Sequence, residues 1–137
     1  MAQIKLAEYT FDNSVGDCLP TLTPNTITMT KEDSVNGTIT TAIVYIDDSI
    51  LPTGISFSDK TNLLTVNYLR IDSNIKSIPN LFRNCSSLTY VELSPISTEN
   101  ITSIASMFYN CSALTTLDLS NWKVDKVTNM SNVFNGC

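Results

Sequence analysis

Three of the four cysteines keep a fixed spacing. Cys85, Cys111 and Cys137 lie 26 residues apart, while Cys18 stands alone near the start. A thiol can close a disulfide, bind a soft metal as thiolate, serve as a nucleophile, or fill a core as a small apolar group. The chain has no histidine. That removes Cys-His and Ser-His-Asp nucleophiles and every zinc site that needs imidazole. No Cys-x-x-Cys pair supplies a thiolate set. If the repeats stack, the cysteines come near disulfide range, but their Cβ vectors run side by side and not toward one another. The pattern favours buried apolar cysteines over a disulfide ladder, and either over a metal site.

The carboxylates are no better placed for chemistry. Asp47 and Asp48 are adjacent on an expected strand, so they point to opposite faces. Asp12, Asn13, Ser14 and Asp17 form an acidic loop whose spacing matches no known calcium loop. Nothing in the spacing pairs two carboxylates for glycoside hydrolysis. A glycine-rich phosphate loop is missing too. The expectation is a non-enzyme: no catalytic residue, no metal ligand and no cofactor.

The elements that carry these residues repeat with the cysteines. Phe82, Phe108 and Phe134 keep the 26-residue step, as do Leu88/Leu114, Leu93/Leu119, Ile101/Val127 and Ile104/Met130. A period in this range predicts a solenoid. Within each unit, Leu88-x-x-Val91-x-Leu93 ends on period two, a short strand. Ile101-x-x-Ile104-x-x-Met107-Phe108 steps by three or four, a short helix or 3-10 turn. Asn84, Asn110 and Asn135-Gly136 fall where such helices would end in a left-handed cap. A degenerate first unit aligns at an offset of 25, with Phe57, Leu63, Val66 and Tyr68 in register and Lys60 in the cysteine position.

Residues 1–54 lack the period. Residues 3–11 read as a strand with one irregular step. Residues 25–30 and 37–46 read as a β-hairpin turning near Asn36-Gly37. This part is expected to be a β cap over the first repeat, with residues 55–137 forming the repeats and the last one incomplete. The open last unit is expected to be closed by further chain or by another subunit.

The totals narrow the partners. The formal net charge is −5 and charged residues make up only 15%. An acidic chain is a poor match for nucleic acid or an anionic membrane, both of which need a basic patch. No apolar run reaches the length of a membrane span, and the first residues lack the apolar core of a secretory signal.

Leu-x-x-Leu-x-Leu is the strand signature of leucine-rich repeats. The longer run Met-Phe-x-x-Cys-x-x-Leu-x-x-Leu-Asp-Leu-Ser-Asn-Trp…Val-Thr-Asn-Met-Ser, at residues 107–131, closely resembles the BspA-like leucine-rich repeat surface proteins of bacteria. The resemblance covers residues 55–137. It implies an α/β leucine-rich repeat solenoid with parallel strands and short helices. It also implies a non-catalytic surface protein that binds or adheres. Leu6-Ala-Glu-Tyr-Thr-Phe-Asp12, with Leu51-Pro52, looks like the cap that precedes such repeats in some phage and prophage proteins. The expected location is extracellular, on a bacterial cell surface or a virion; the lack of a leader leans toward the virion.

A repeat sheet usually binds with its outer face. Between the leucines, Thr65, Tyr90 and Thr116 form one column, and Asn67, Glu92 and Asp118 another. These six are the expected binding strip for a protein or glycan, with Tyr90 as its aromatic anchor. Trp122 is expected to pack over the loop edge. The alternative role is structural: a virion tail or assembly component whose N-terminal region docks to another subunit. Both roles leave room for a homo-oligomer, formed through the cap or through the open C-terminal end.

Overall fold

The computed structural model describes residues 2–94 and 96–137. Its main sheet has five strands. They are drawn from β1 (Gln3–Asp12), β3 (Met29–Asn36), β4 (Ile39–Asp47), β6 (Leu63–Leu69) and β7 (Tyr90–Val91), in the order β3-β4-β1-β6-β7. A second sheet pairs β2 (Thr21–Thr23) with β5 (Gly54–Ser56). Pairings between these named strands are antiparallel except that of β6 with β7.

β1 is the centre of this sheet. It buries Leu6, Ala7, Tyr9 and Phe11, and it lies between β4 and β6. The irregular step in its pattern is a β-bulge. Lys5 pairs with Tyr45 and Ala7 with Val44, so Leu6 is the extra residue. A bulge places two residues against one, which turns both Leu6 and Ala7 inward. β4 buries Thr40, Ala42, Val44 and Ile46. β3 is an edge strand, and it runs through Lys31, Glu32 and Asp33 where a loop was expected. An edge strand with almost no buried face leaves no period-two signal, and its charges discourage pairing with another chain. The hairpin turn is Gly37-Thr38; only its first residue has positive φ (+64°), the type II′ pattern.

From Phe57 onward, successive units stack through a backbone ladder. The N–H groups of Ile78, Asn80, Phe82 and Asn84 donate to the carbonyls of Ser103, Ala105, Met107 and Tyr109 at 2.7–3.0 Å. Those of Ile104, Ser106, Phe108 and Asn110 donate in the same way to Asn129, Ser131, Val133 and Asn135. The phenylalanines stack in a column, with ring centres 5.9 Å apart from Phe57 to Phe82, 5.7 Å to Phe108 and 6.0 Å to Phe134. Tyr9 of β1 meets Phe57 edge-on at 5.2 Å. The first three phenylalanines are buried, and Phe134 is exposed.

The expected α/β leucine-rich repeat solenoid is corrected by these observations. The described residues are nearly all β. Their sheet is mixed and mostly antiparallel, and their one helix is the 3-10 turn Asn13–Val15. The reason lies in the backbone. A helix needs each N–H to bond four residues back within its own segment. Here alternate N–H groups bond to the next unit instead. Left-handed residues also recur every four positions: Asn80 and Asn84 at φ +60°, Ser106 at +55° and Asn110 at +57°. The three-and-four apolar spacing arises from consecutive turns, each closed by one such residue. Parallel pairing between named strands joins Thr65 with Tyr90 and Val66 with Val91, and isolated parallel bridges join Ser77 to Ser103 and Ser103 to Asn129. Beyond β7, side chains take the backbone donors: Glu92 accepts from the Ser94 N–H at 3.0 Å and Asp118 from the Ser120 N–H at 2.9 Å. Such local bonds compete with a strand ladder.

Candidate functional site

The thiols have structural partners. Cys85 Sγ lies 3.2 Å from the Phe57 carbonyl, Cys111 Sγ 3.0 Å from that of Phe82, and Cys137 Sγ 3.1 Å from that of Phe108. Each cysteine donates weakly to the phenylalanine carbonyl of the preceding unit, which gives the 26-residue spacing a packing reason. All four cysteines are free, and Cys18, Cys85 and Cys111 are buried. Burial pushes the Cys111 thiol up to about 12 and the Cys18 thiol up to about 11. Thiols held so far from ionisation are poor nucleophiles and poor metal ligands.

The candidate acidic loops are spent locally. Asp12 accepts from the Ser14 N–H at 2.9 Å and the Ser14 hydroxyl at 2.6 Å. Asp47 accepts from the Ser49 N–H at 2.8 Å, and Asp17 pairs with Lys31. Among the described residues, no three of Cys, Asp and Glu converge as a metal cluster would require.

A groove of about 330 Å³ opens on the outer face where β7 meets the following unit. Tyr90, Glu92, Thr116 and Asp118 line it together with Leu93, Ser94 and Asn121. Four of the six expected residues therefore meet in one concavity. Thr65 and Asn67 lie beside it on β6. Thr65 shares a 2.6 Å hydrogen bond with Thr10 of β1, and Asn67 donates to Thr65 at 3.3 Å. These two stiffen the neighbouring strand and do not line the groove.

Tyr90 is 46% exposed, so its ring is available, and its hydroxyl donates to Glu92 at 2.7 Å. Hydrogen bonds from Ser94 and Tyr90 hold the Glu92 carboxyl below the usual carboxylate range, although nearby Asp118 works against its ionisation. Bonds from Ser120 hold Asp118 low as well. Both groups are charged at neutral pH. The groove can therefore offer an aromatic face, two ionised acceptors and the amide of Asn121.

The family follows from the sequence match. Residues 58–137 match the model of a family described as "Mycoplasma protein of unknown function, DUF285". The chain belongs to this family. No curated protein and no solved structure matches it. The DUF285 region contains the whole groove and the phenylalanine column from Phe82 onward, whereas β1 to β5 and Phe57 precede it. Sequence reasoning missed Ser94 and Asn121, which sit just past the strand positions and carry no periodic signal. It also missed that Thr10 shares the sheet face with Thr65, because strand order cannot be read from spacing.

Trp122 packs partly against the core and donates from Nε1 to the Leu93 carbonyl at 3.4 Å. With Met130, Val124 and Phe134 it borders a second, more apolar groove of about 600 Å³. No helix among the described residues is long and apolar enough to cross a membrane.

Proposed function

We propose that this chain is a non-catalytic binding module that recognises a partner through the groove at Tyr90, Glu92, Thr116 and Asp118. The observation that carries the reading is the half-open Tyr90 ring set beside two ionised, hydrogen-bonded carboxylates in one concavity. An exposed aromatic anchor beside fixed acceptors is the make-up of a recognition surface. The resemblance of residues 107–131 to BspA-like surface proteins supports an extracellular setting, on a bacterial cell or a virion. Changing Tyr90→Ala together with Asp118→Lys is expected to lower binding to the host cell or virion surface at least ~30-fold, given the usual cost of losing an aromatic anchor and reversing a contact charge. Unchanged retention of the purified variant in a cell-binding assay would remove the groove as the site.

A structural role in an assembly is the second reading, favoured by a separate observation. Val15, Val35 and Ile39 are 73%, 65% and 46% exposed around the tip of the β3–β4 hairpin. The Asn13 N–H ties the turn bearing Val15 to this tip through the Thr38 carbonyl at 2.7 Å. Val35 and Ile39 lie on opposite faces of the hairpin, and exposed apolar groups on both faces of a tip suit docking to a subunit that clasps it. Light scattering is expected to show an oligomer that Val35→Asp with Ile39→Asp dissociates. A monomer at all concentrations, unchanged by these substitutions, would discard this reading.

A further inference from the structure

The groove at Tyr90 has a counterpart on the same sheet face, and the counterpart is filled. Glu8 of β1 sits opposite Tyr68 of β6. Lys5 occupies that pair, with its ammonium 4.7 Å from the Tyr68 ring centre and 3.1 Å from Glu8 Oε2. A second instance lies toward the sheet edge. Lys31 is 5.1 Å from the Phe11 ring centre and 3.1 Å from Asp33, and it also pairs with Asp17. In both places an aromatic face and a carboxylate hold an ammonium, because ring quadrupole and anion attract the same charge.

Tyr90, Glu92 and Asp118 repeat this set of groups without the cation. No residue lining the groove is basic. Among the described residues no ion pair reaches Glu92 or Asp118. Two like charges thus face one concavity beside a half-open ring. A neutral sugar could stack on the ring and donate to the carboxylates, but it would leave both charges unpaired. A cation pairs with them.

We propose that the groove takes a lysine or arginine side chain from a basic segment of a partner protein, packed on Tyr90 and held by Glu92 and Asp118. The proposal rests on the binding reading above and names the partner class for that site. Arginine suits it best, since a planar guanidinium stacks on a ring and forks onto carboxylates. The chain's net charge of −5 steers such a segment toward it.

The test is an NMR titration of the full ¹⁵N-labelled chain with an acetylated Arg-Gly-Arg-Gly-Arg peptide and, separately, with cellotriose. The peptide is expected to shift the Tyr90, Glu92 and Asp118 amides saturably. Raising NaCl to ~0.5 M should weaken it about tenfold or more, because exposed charge pairs are screened at that ionic strength. Glu92→Gln with Asp118→Asn keeps the local acceptors for Ser94 and Ser120, and is expected to weaken the peptide at least about tenfold. An unchanged dispersed spectrum of that variant shows that the fold is intact. Shifts spread equally over Glu32, Asp33, Asp47 and Asp48 would overturn the proposal as mere charge attraction. Saturation of the same amides by cellotriose alone would overturn the basic partner yet keep the groove as a binding site. Silence from both probes at the groove would sink this proposal, and the surface-binding assay of the Tyr90→Ala, Asp118→Lys variant then decides the broader reading separately.

Discussion

Phe82→Ala is expected to cost about 3–5 kcal/mol of folding stability, the usual loss for a buried phenylalanine. Phe82 is fully buried and lies in the middle of the aromatic column, stacked on Phe57 at one face and Phe108 at the other. Each stacked pair adds roughly 0.5–1.5 kcal/mol beyond area burial. The Phe82 backbone also joins its unit to the next through two bonds. Its N–H donates to Met107, and its carbonyl receives the Cys111 thiol. Emptying this site leaves a cavity that the turns on either side cannot close, because the backbone ladder fixes their separation.

Urea unfolding followed by far-UV circular dichroism reads the effect as a lower midpoint at similar slope. Phe134→Ala is the internal comparison. Its ring is 54% exposed and has one stacking neighbour, so about 1 kcal/mol or less is expected. Equal losses at the two positions would show that the column is not the core.

The column was legible in the sequence because Phe82, Phe108 and Phe134 recur at one offset and nothing else explains a phenylalanine there. Stacking in register follows from such a repeat whichever local backbone carries it. The backbone itself was not legible. Ile101, Ile104 and Met107 step as on a helix, yet they lie on successive turns. Helix and turn series give the same apolar spacing, and only hydrogen-bond direction separates them. The asparagines held the missing signal. Asn84 and Asn110 invite left-handed backbone, which taken singly also reads as a helix end, because one left-handed residue is a common stop. A second one four residues earlier, Asn80 or Ser106, leaves no room for a helical turn between them.

The groove was legible in part for a similar reason. Tyr90, Glu92, Thr116 and Asp118 came from counting outward-facing positions between buried leucines, and that alternation holds locally around β7. It fails to carry Thr65 and Asn67 into the groove, since β6 pairs with β1 on its other side and its outward side chains bond there and to each other. The filled sites at Lys5 and Lys31 depend on cross-strand neighbours far apart in sequence, which spacing alone does not reveal.

Asn84→Val is expected to cost about 2–4 kcal/mol, although the residue is not fully buried. The turn column runs Asp59, Asn84, Asn110 and Gly136, with φ of +64°, +60°, +57° and +81°. A β-branched residue in that region is a conformational outlier, and the strain contributes about 1–3 kcal/mol. The side chain also links the column. Asn84 Nδ2 donates to Asp59 at 2.7 Å, and Asn84 Oδ1 accepts from Asn110 Nδ2 at 3.0 Å. Valine removes both bonds, which are exposed and each worth roughly 0.5 kcal/mol. Asn84→Gly separates the two contributions, because glycine adopts positive φ freely and loses only the bonds plus roughly 0.5–1 kcal/mol of chain entropy. Chemical denaturation should therefore rank wild type above Asn84→Gly, and Asn84→Gly above Asn84→Val. If valine were tolerated as well as glycine, the left-handed turn would not be what holds one unit against the next.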